Sequence, residues 1–109
     1  MKIKLHPSAR RDLERIWRDT ARRWGLDQAD AYVAVLNAAF EFLAEFPRAA
    51  PERLEHQPPV RVHPARAHVI IYRIESDAIV VIRIRHARED WMSDPAAGES
   101  GEDEPYSAG

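Results

Sequence analysis

Between Pro47 and Pro59 the spacing of the apolar residues changes, and no single regular element can carry both spacings. Before that segment they recur every three or four positions. Ala9, Leu13, Ile16, Trp17, Ala21 and Trp24 form one stripe, and Ala29, Tyr32, Val33, Leu36, Phe40, Leu43 and Phe46 form a second. After it they recur at every second position, in VRVH (60–63), HVIIYRI (68–74) and AIVVIRIR (78–85), runs rich in β-branched residues. A period near 3.6 gives a helix one apolar face and a period of 2 does the same for a strand, so the chain must build helices first and a sheet second.

The punctuation residues divide these runs into elements. IKLH alternates and stops at Pro7, which predicts a short first strand with Ile3 and Leu5 turned inward. Pro7 then suits the first position of a helix, where its missing N–H leaves nothing unpaired. Gly25 ends that helix, Asp27 is expected to cap the next, and Pro47 stops it. Two amphipathic helices with a short turn make an antiparallel hairpin. PRAAPERLEHQPP holds four prolines and reads as an ordered loop, with Leu54 turned inward. PARA and Glu75–Asp77 are short connections, so the last three strands pair antiparallel. The expected fold class is α+β: a short first strand, then a helical hairpin packed on one face of a small antiparallel sheet, in the order β-α-α-β-β-β.

Composition sets the scale of this fold. The chain has 109 residues, enough for one domain, and no apolar run long enough to cross a membrane as a helix. It has no Cys, and its basic N-terminus lacks the apolar core of a signal peptide, so a cytoplasmic location is expected. The formal net charge of −2 conceals an asymmetry: residues 1–88 carry all 16 Lys and Arg and 11 acids, a net +5, and residues 89–109 carry seven acids and no base. A basic body points to an anionic partner, and residues 92–109 read as an acidic, disordered tail after a domain spanning 1–91.

The two-residue period predicts where the basic side chains lie. In the last strand Val80, Ile82, Ile84 and His86 are expected against the helices, and Val81, Arg83 and Arg85 on the opposite face. Arg73 shares a side with Val69 and Ile71, and Arg61 shares one with His63. Arg61, Arg73, Arg83 and Arg85 are therefore expected to converge on one open sheet face, with Arg66, His68 and Arg88 at its margins. Residues 60–88 hold six Arg against two acids, Glu75 and Asp77, so local pairing cannot neutralise them. Arg grips phosphate or carboxylate through a planar fork, which suits either a nucleic-acid backbone or an acidic peptide.

Catalytic signals are weaker. A metal-free ribonuclease needs cations to stabilise a phosphorane and a group to move a proton. Arg61, Arg83 and Arg88 can supply the first and His86 or His63 the second. His86 equally fits a strand-end histidine bonded to backbone. The His56–Glu55 pair and the remaining His make no metal-ligand spacing, and there is no P-loop, GxGxxG or GxSxG, so neither metal nor cofactor is expected. Trp17 and Trp24 are expected in the core, and the arginines at 10, 11, 15, 22 and 23 on a solvated helix face.

The residues resemble the RelE/ParE toxin superfamily. HPSARRDLERIWRDTARRWG is similar to that superfamily's strand-proline-helix opening, through Pro7, Ala9, Asp12, Leu13, Ile16 and Trp17. FEFLAEFPRAAPE resembles the end of its second helix. VRVHPARAHVIIYRI and IVVIRIRHARED resemble its strand segments, through Arg61, Pro64, Ile71, Tyr72, Arg73, Arg83, His86, Arg88 and Asp90. The resemblance covers residues 1–91 and implies a RelE/ParE-like fold and a toxin of a type II toxin–antitoxin system, neutralised by an antitoxin whose C-terminal segment wraps it. The ParE branch implies inhibition of DNA gyrase, and the RelE branch implies cleavage of ribosome-bound mRNA. The H-x-R-x-D ending and the I-W helix are closer to ParE, and the chain lacks a Lys after Lys4 or a Tyr near Arg88 of the kind a RelE-type site uses. A non-toxic binding module remains a third alternative. On the ParE reading Arg61, His63, Arg66, Arg73, Arg83, Arg85 and Arg88 form the face that meets target or antitoxin.

Overall fold

The computed structural model describes residues 1–97 and places the helices and strands in the order their periods predict. Strand β1 (Lys2–Leu5) leads into helix α1 (Pro7–Trp24) and helix α2 (Leu26–Glu45). A two-residue strand β2 (Glu52–Arg53) forms inside the proline-rich loop, followed by β3 (Val60–Ala65), β4 (His68–Glu75) and β5 (Ala78–His86). The sheet order is β1-β5-β4-β3-β2. β2 to β5 pair antiparallel in sequence order, and β1 lies parallel to β5 with Lys2 opposite Ala78 and Leu5 opposite Val81.

Local chemistry explains the helix ends. His6 caps α1, its Nδ1 accepting the Ser8 N–H at 3.2 Å, and Pro7 opens the helix. Gly25 alone joins the two helices. Its N–H bonds the Ala21 carbonyl at 2.9 Å and its own carbonyl accepts from Ala29 at 3.1 Å. A φ of 97° makes this double role possible, and a Cβ at Gly25 would meet no neighbour, so the backbone angle rather than space demands glycine. Asp27, expected as the cap of α2, instead lies inside its first turn, because Gly25 already fills the cap position.

The helical hairpin covers one face of the sheet. Ile16, Leu36, Phe40 and Leu43 pack there against Ile70, Tyr72, Ile79, Val81 and Ile84. The other face is not open to water. Val60, Val62, Val69, Ile71 and Ile82 form a second apolar cluster, closed by Trp91 with Ala96 beside it. The Arg53 guanidinium lies 5.5 Å from the centre of the Trp91 ring. From Gly98 onward the acidic tail expected over 92–109 lies outside the described residues.

A bulge in β5 divides these two faces differently from simple alternation. Ile71 pairs with Arg83 and Tyr72 with Val81, so Ile82 has no opposite number. The extra residue resets the phase, as bulges do. Ile79 and Val81 face the helices before it and Ile84 after it, whereas Ile82 joins the far cluster. The expectation that Val80 and Ile82 lie against the helices, with Val81 opposite, is thereby corrected; Ile84 keeps its expected side.

Two further expectations are corrected. Trp17 and Trp24 belong to the periodic stripe of α1 but are 36% and 72% exposed; the Trp17 Nε1–H donates to Asp30 Oδ1 of α2 at 2.9 Å at the surface, and Trp24 lines an open groove. Leu54, in the loop, is also exposed.

Candidate functional site

The anticipated arginines sit on both faces of the sheet and do not share one. Arg61 stands opposite Tyr72, on the helix side, and its Nη1 donates to the Ala50 carbonyl at 2.7 Å. His63 is on the same side, its ring stacked on Phe42 of α2 with centroids 5.5 Å apart. Burial lowers the His63 pKa. Arg73 lies beside Val69 and Ile71, on the far side, and donates from Nε to the Pro59 carbonyl at 3.2 Å. The two-residue period holds within β3 and β4, but Val60 and Val62 turn to the far cluster, which sends Arg61 and His63 the other way.

Arg83 and Arg85 do lie on the far face, where the chain after β5 covers them. Arg85 Nε donates to Glu89 Oε1 at 2.8 Å, and its Nη1 to the Asp94 carbonyl at 3.3 Å. Burial by itself would raise the Glu89 carboxyl. The Arg85 hydrogen bond and charge, the His86 N–H and Arg83 outweigh it and hold that pKa below the usual value. Arg83 bonds the Ala97 carbonyl and, with two donors, the carboxylate of Asp12.

Asp12 is the residue that charge reasoning overlooked. β1 ends at Leu5, leaving the outer half of β5 with an unpaired edge, and the first turns of α1 take over. His6 N–H donates to the Val81 carbonyl at 2.8 Å, Ser8 Oγ to the Ile82 carbonyl at 2.6 Å, and Ile84 N–H to Asp12 Oδ2 at 2.9 Å. One carboxylate thus replaces a strand at the sheet edge and neutralises Arg83. The signal was present: Asp12 falls three residues after Ala9 and four before Ile16, on the apolar stripe, where an acid must have a partner.

The residues considered for a ribonuclease do not gather. Arg61 and Arg83 occupy opposite faces, each holding backbone or Asp12, and His86 lies on the helix side across from His68. Arg66 and Arg88 are exposed. Arg66 occupies the β3–β4 turn with a φ of 58°. The Arg88 N–H donates to His86 Nδ1 at 3.1 Å. Among the described residues no group of three His, Cys, Asp or Glu side chains is placed to hold a metal ion.

A different set does come together, between the hairpin and the β3–β4 turn. The Tyr32 hydroxyl lies 2.7 Å from His68 Nδ1 and accepts the Ala67 N–H at 3.2 Å. His68 and His86 meet edge to face at 5.2 Å. Burial, and then the neighbouring His86, lower the His68 pKa, and burial raises that of Tyr32. Tyr32 was legible only as one member of the apolar stripe of α2. Its hydroxyl matters because α2 carries it over the β4 end.

Known proteins place this architecture. The family model described as the ParE toxin of type II toxin-antitoxin system, parDE, matches residues 3–91. The chain is 37% identical over 87 residues to Toxin ParE1 of Mycobacterium tuberculosis, covering 79% of this chain and 89% of that one. It is 29% identical over 77 residues to Toxin ParE3 of Caulobacter vibrioides, covering 71% and 77% respectively. Its fold matches a chain in the structure of the chromosomal ParDE TA system from P. aeruginosa with a TM-score of 0.69 at 20% identity, over 79% of this chain and 95% of the other. With a family match over residues 3–91 and a mycobacterial relative aligned over most of both lengths, the chain belongs to the ParE toxin family of type II toxin–antitoxin systems.

Proposed function

We propose that this ParE-family chain acts by binding, inhibiting DNA gyrase, and that a cognate antitoxin neutralises it by wrapping its C-terminal segment around the toxin body. The family match over residues 3–91 carries this reading. The engagement of Arg61 with Ala50 and of Arg83 with Asp12 weighs against the ribonuclease alternative, since both cations already serve the fold. The antitoxin part draws support from the likeness to a ParDE system and from exposed apolar side chains on the hairpin. Trp24 and Leu26 lie at one end and Phe42 and Phe46 at the other, two exposed apolar patches that a wrapping partner would cover. Residues 1–91 constitute the toxin domain on this reading, and 92–109 its acidic extension.

Arg66 and Arg88 are the arginines of the expected binding face that remain exposed, and they are its best candidates for target contact. No helix among the described residues is long and apolar enough to cross a membrane, and gyrase implies action in the cytoplasm. The test is direct: purified protein should inhibit gyrase supercoiling and leave ribosome-bound message intact, and added antitoxin should restore supercoiling. Cleavage of message with unaffected gyrase would replace this reading with the ribonuclease one.

A further inference from the structure

A groove of about 590 Å³ runs between the hairpin and the β3–β4 turn, and of its polar groups only Arg66 enters the gyrase reading. Ile16 and Val35 line it together with Trp24. Arg23, Arg66, His68 and His86 line it from α1, the β3–β4 turn, β4 and β5, and Asp19 is the acid among its lining residues.

The hydrogen bonds determine what the two imidazoles present. With the Tyr32 hydroxyl accepting the Ala67 N–H, we assign its own proton to the bond with His68 Nδ1, the tautomer that carries the His68 ring proton on Nε2. His86 Nδ1 accepts the Arg88 N–H, so its ring proton is on Nε2 as well. Both neutral rings therefore offer a donor rather than an acceptor. Added to them are two guanidinium groups, while Asp19 has Arg22 at 3.7 Å. A surplus of donors from four elements suits an oxyanion with several acceptor oxygens better than a single carboxylate. The Trp24 ring, 72% exposed, offers a flat π-face at the same groove, and the volume lies within the range of small-ligand sites.

We propose that this groove binds a nucleoside phosphate, its phosphate held by Arg23, Arg66, His68 and His86 and its base stacked on Trp24. A free mononucleotide and a unit of single-stranded nucleic acid share this chemistry.

The experiment titrates the full-length protein with AMP, inorganic phosphate and a short oligothymidylate, following the histidine ring signals by NMR and tryptophan fluorescence. Millimolar or lower AMP should shift the His68 and His86 ring signals and quench Trp24. Arg66→Asn, which keeps a residue tolerant of positive φ at the turn, should weaken AMP binding about tenfold or more through loss of a charge-assisted contact. Trp24→Ala should weaken AMP and leave inorganic phosphate unchanged. An oligonucleotide that binds far more tightly than AMP, with strong salt dependence, identifies single-stranded nucleic acid as the source, and comparable affinities identify the free nucleotide. The proposal is overturned if AMP leaves both ring signals unmoved, if Arg66→Asn and Arg23→Ala bind as the parent does while remaining folded, or if inorganic phosphate binds as well as AMP.

Discussion

Asp12 and Arg83, 71 positions apart in the chain, form a two-pronged ion pair: Nε to Oδ2 at 2.6 Å and Nη2 to Oδ1 at 2.9 Å. The Asp12 side chain is 1% exposed and that of Arg83 15%. The same carboxylate accepts the Ile84 N–H, so it joins α1 to β5 through backbone and side chain together.

Removing one partner of a buried pair strands the other, at a cost of about 3–5 kcal/mol. Asp12→Ala should destabilise the protein by that amount in urea unfolding, with the lost Ile84 bond adding to it. A double variant, Asp12→Ala with Arg83→Met, should recover part of the loss because no uncompensated charge remains. Equal stabilities of the Asp12→Ala and parent proteins would show that the pair contributes nothing.

Trp91 closes the far cluster. Trp91→Ala should cost about 3–5 kcal/mol, the range for a large aromatic removed from a packed site. Arg53→Ala should cost less than about 1 kcal/mol, since the cation beside an aromatic ring adds little to the apolar contact. Chemical denaturation with matched m-values checks both.

Stability should fall on acidification from neutral pH. His63 and His68 have folded pKa values below 6.5, so the unfolded chain takes up protons first, and stability is lost as pH drops from about 6.5 towards the folded values. Glu89, whose folded pKa is also depressed, adds a further loss at lower pH, beginning near the ordinary carboxyl value of 4.5. Thermal melts at pH 7.5 and 5.5 should show a lower midpoint at the acid value. His68→Asn should reduce that difference, whereas an unchanged difference in both His68→Asn and His63→Asn would locate the effect elsewhere.

Tyr32→Phe isolates one hydroxyl. It removes the bonds to His68 Nδ1 and the Ala67 N–H and should cost about 1 kcal/mol. With the hydroxyl donating to the neutral imidazole, its loss removes an interaction favouring that form and should raise the His68 pKa. NMR titration of the ring gives the sign directly.

Sequence alone determined both helices, four of the five strands, the order of these elements and the family, because each rests on local signals. A change of period, Pro7, Gly25 and Pro47 act within a few residues of themselves. Tertiary structure decided which way each strand faced. A period of 2 separates Arg61 from Val62 and Arg73 from Tyr72, but it cannot say which set meets the helices when both sheet faces bury apolar side chains. Nor does periodicity reveal that Ile82 is one residue too many, since a bulge exists only in the pairing of β5 with β4. The partners of Asp12, Trp91 and Tyr32 likewise lie on segments distant in the chain, brought near by packing of α1, α2 and the last turn of chain onto the sheet. Local periodicity carries no record of those distances, which is why the expected single basic face became two, with its strand arginines engaged in holding the fold.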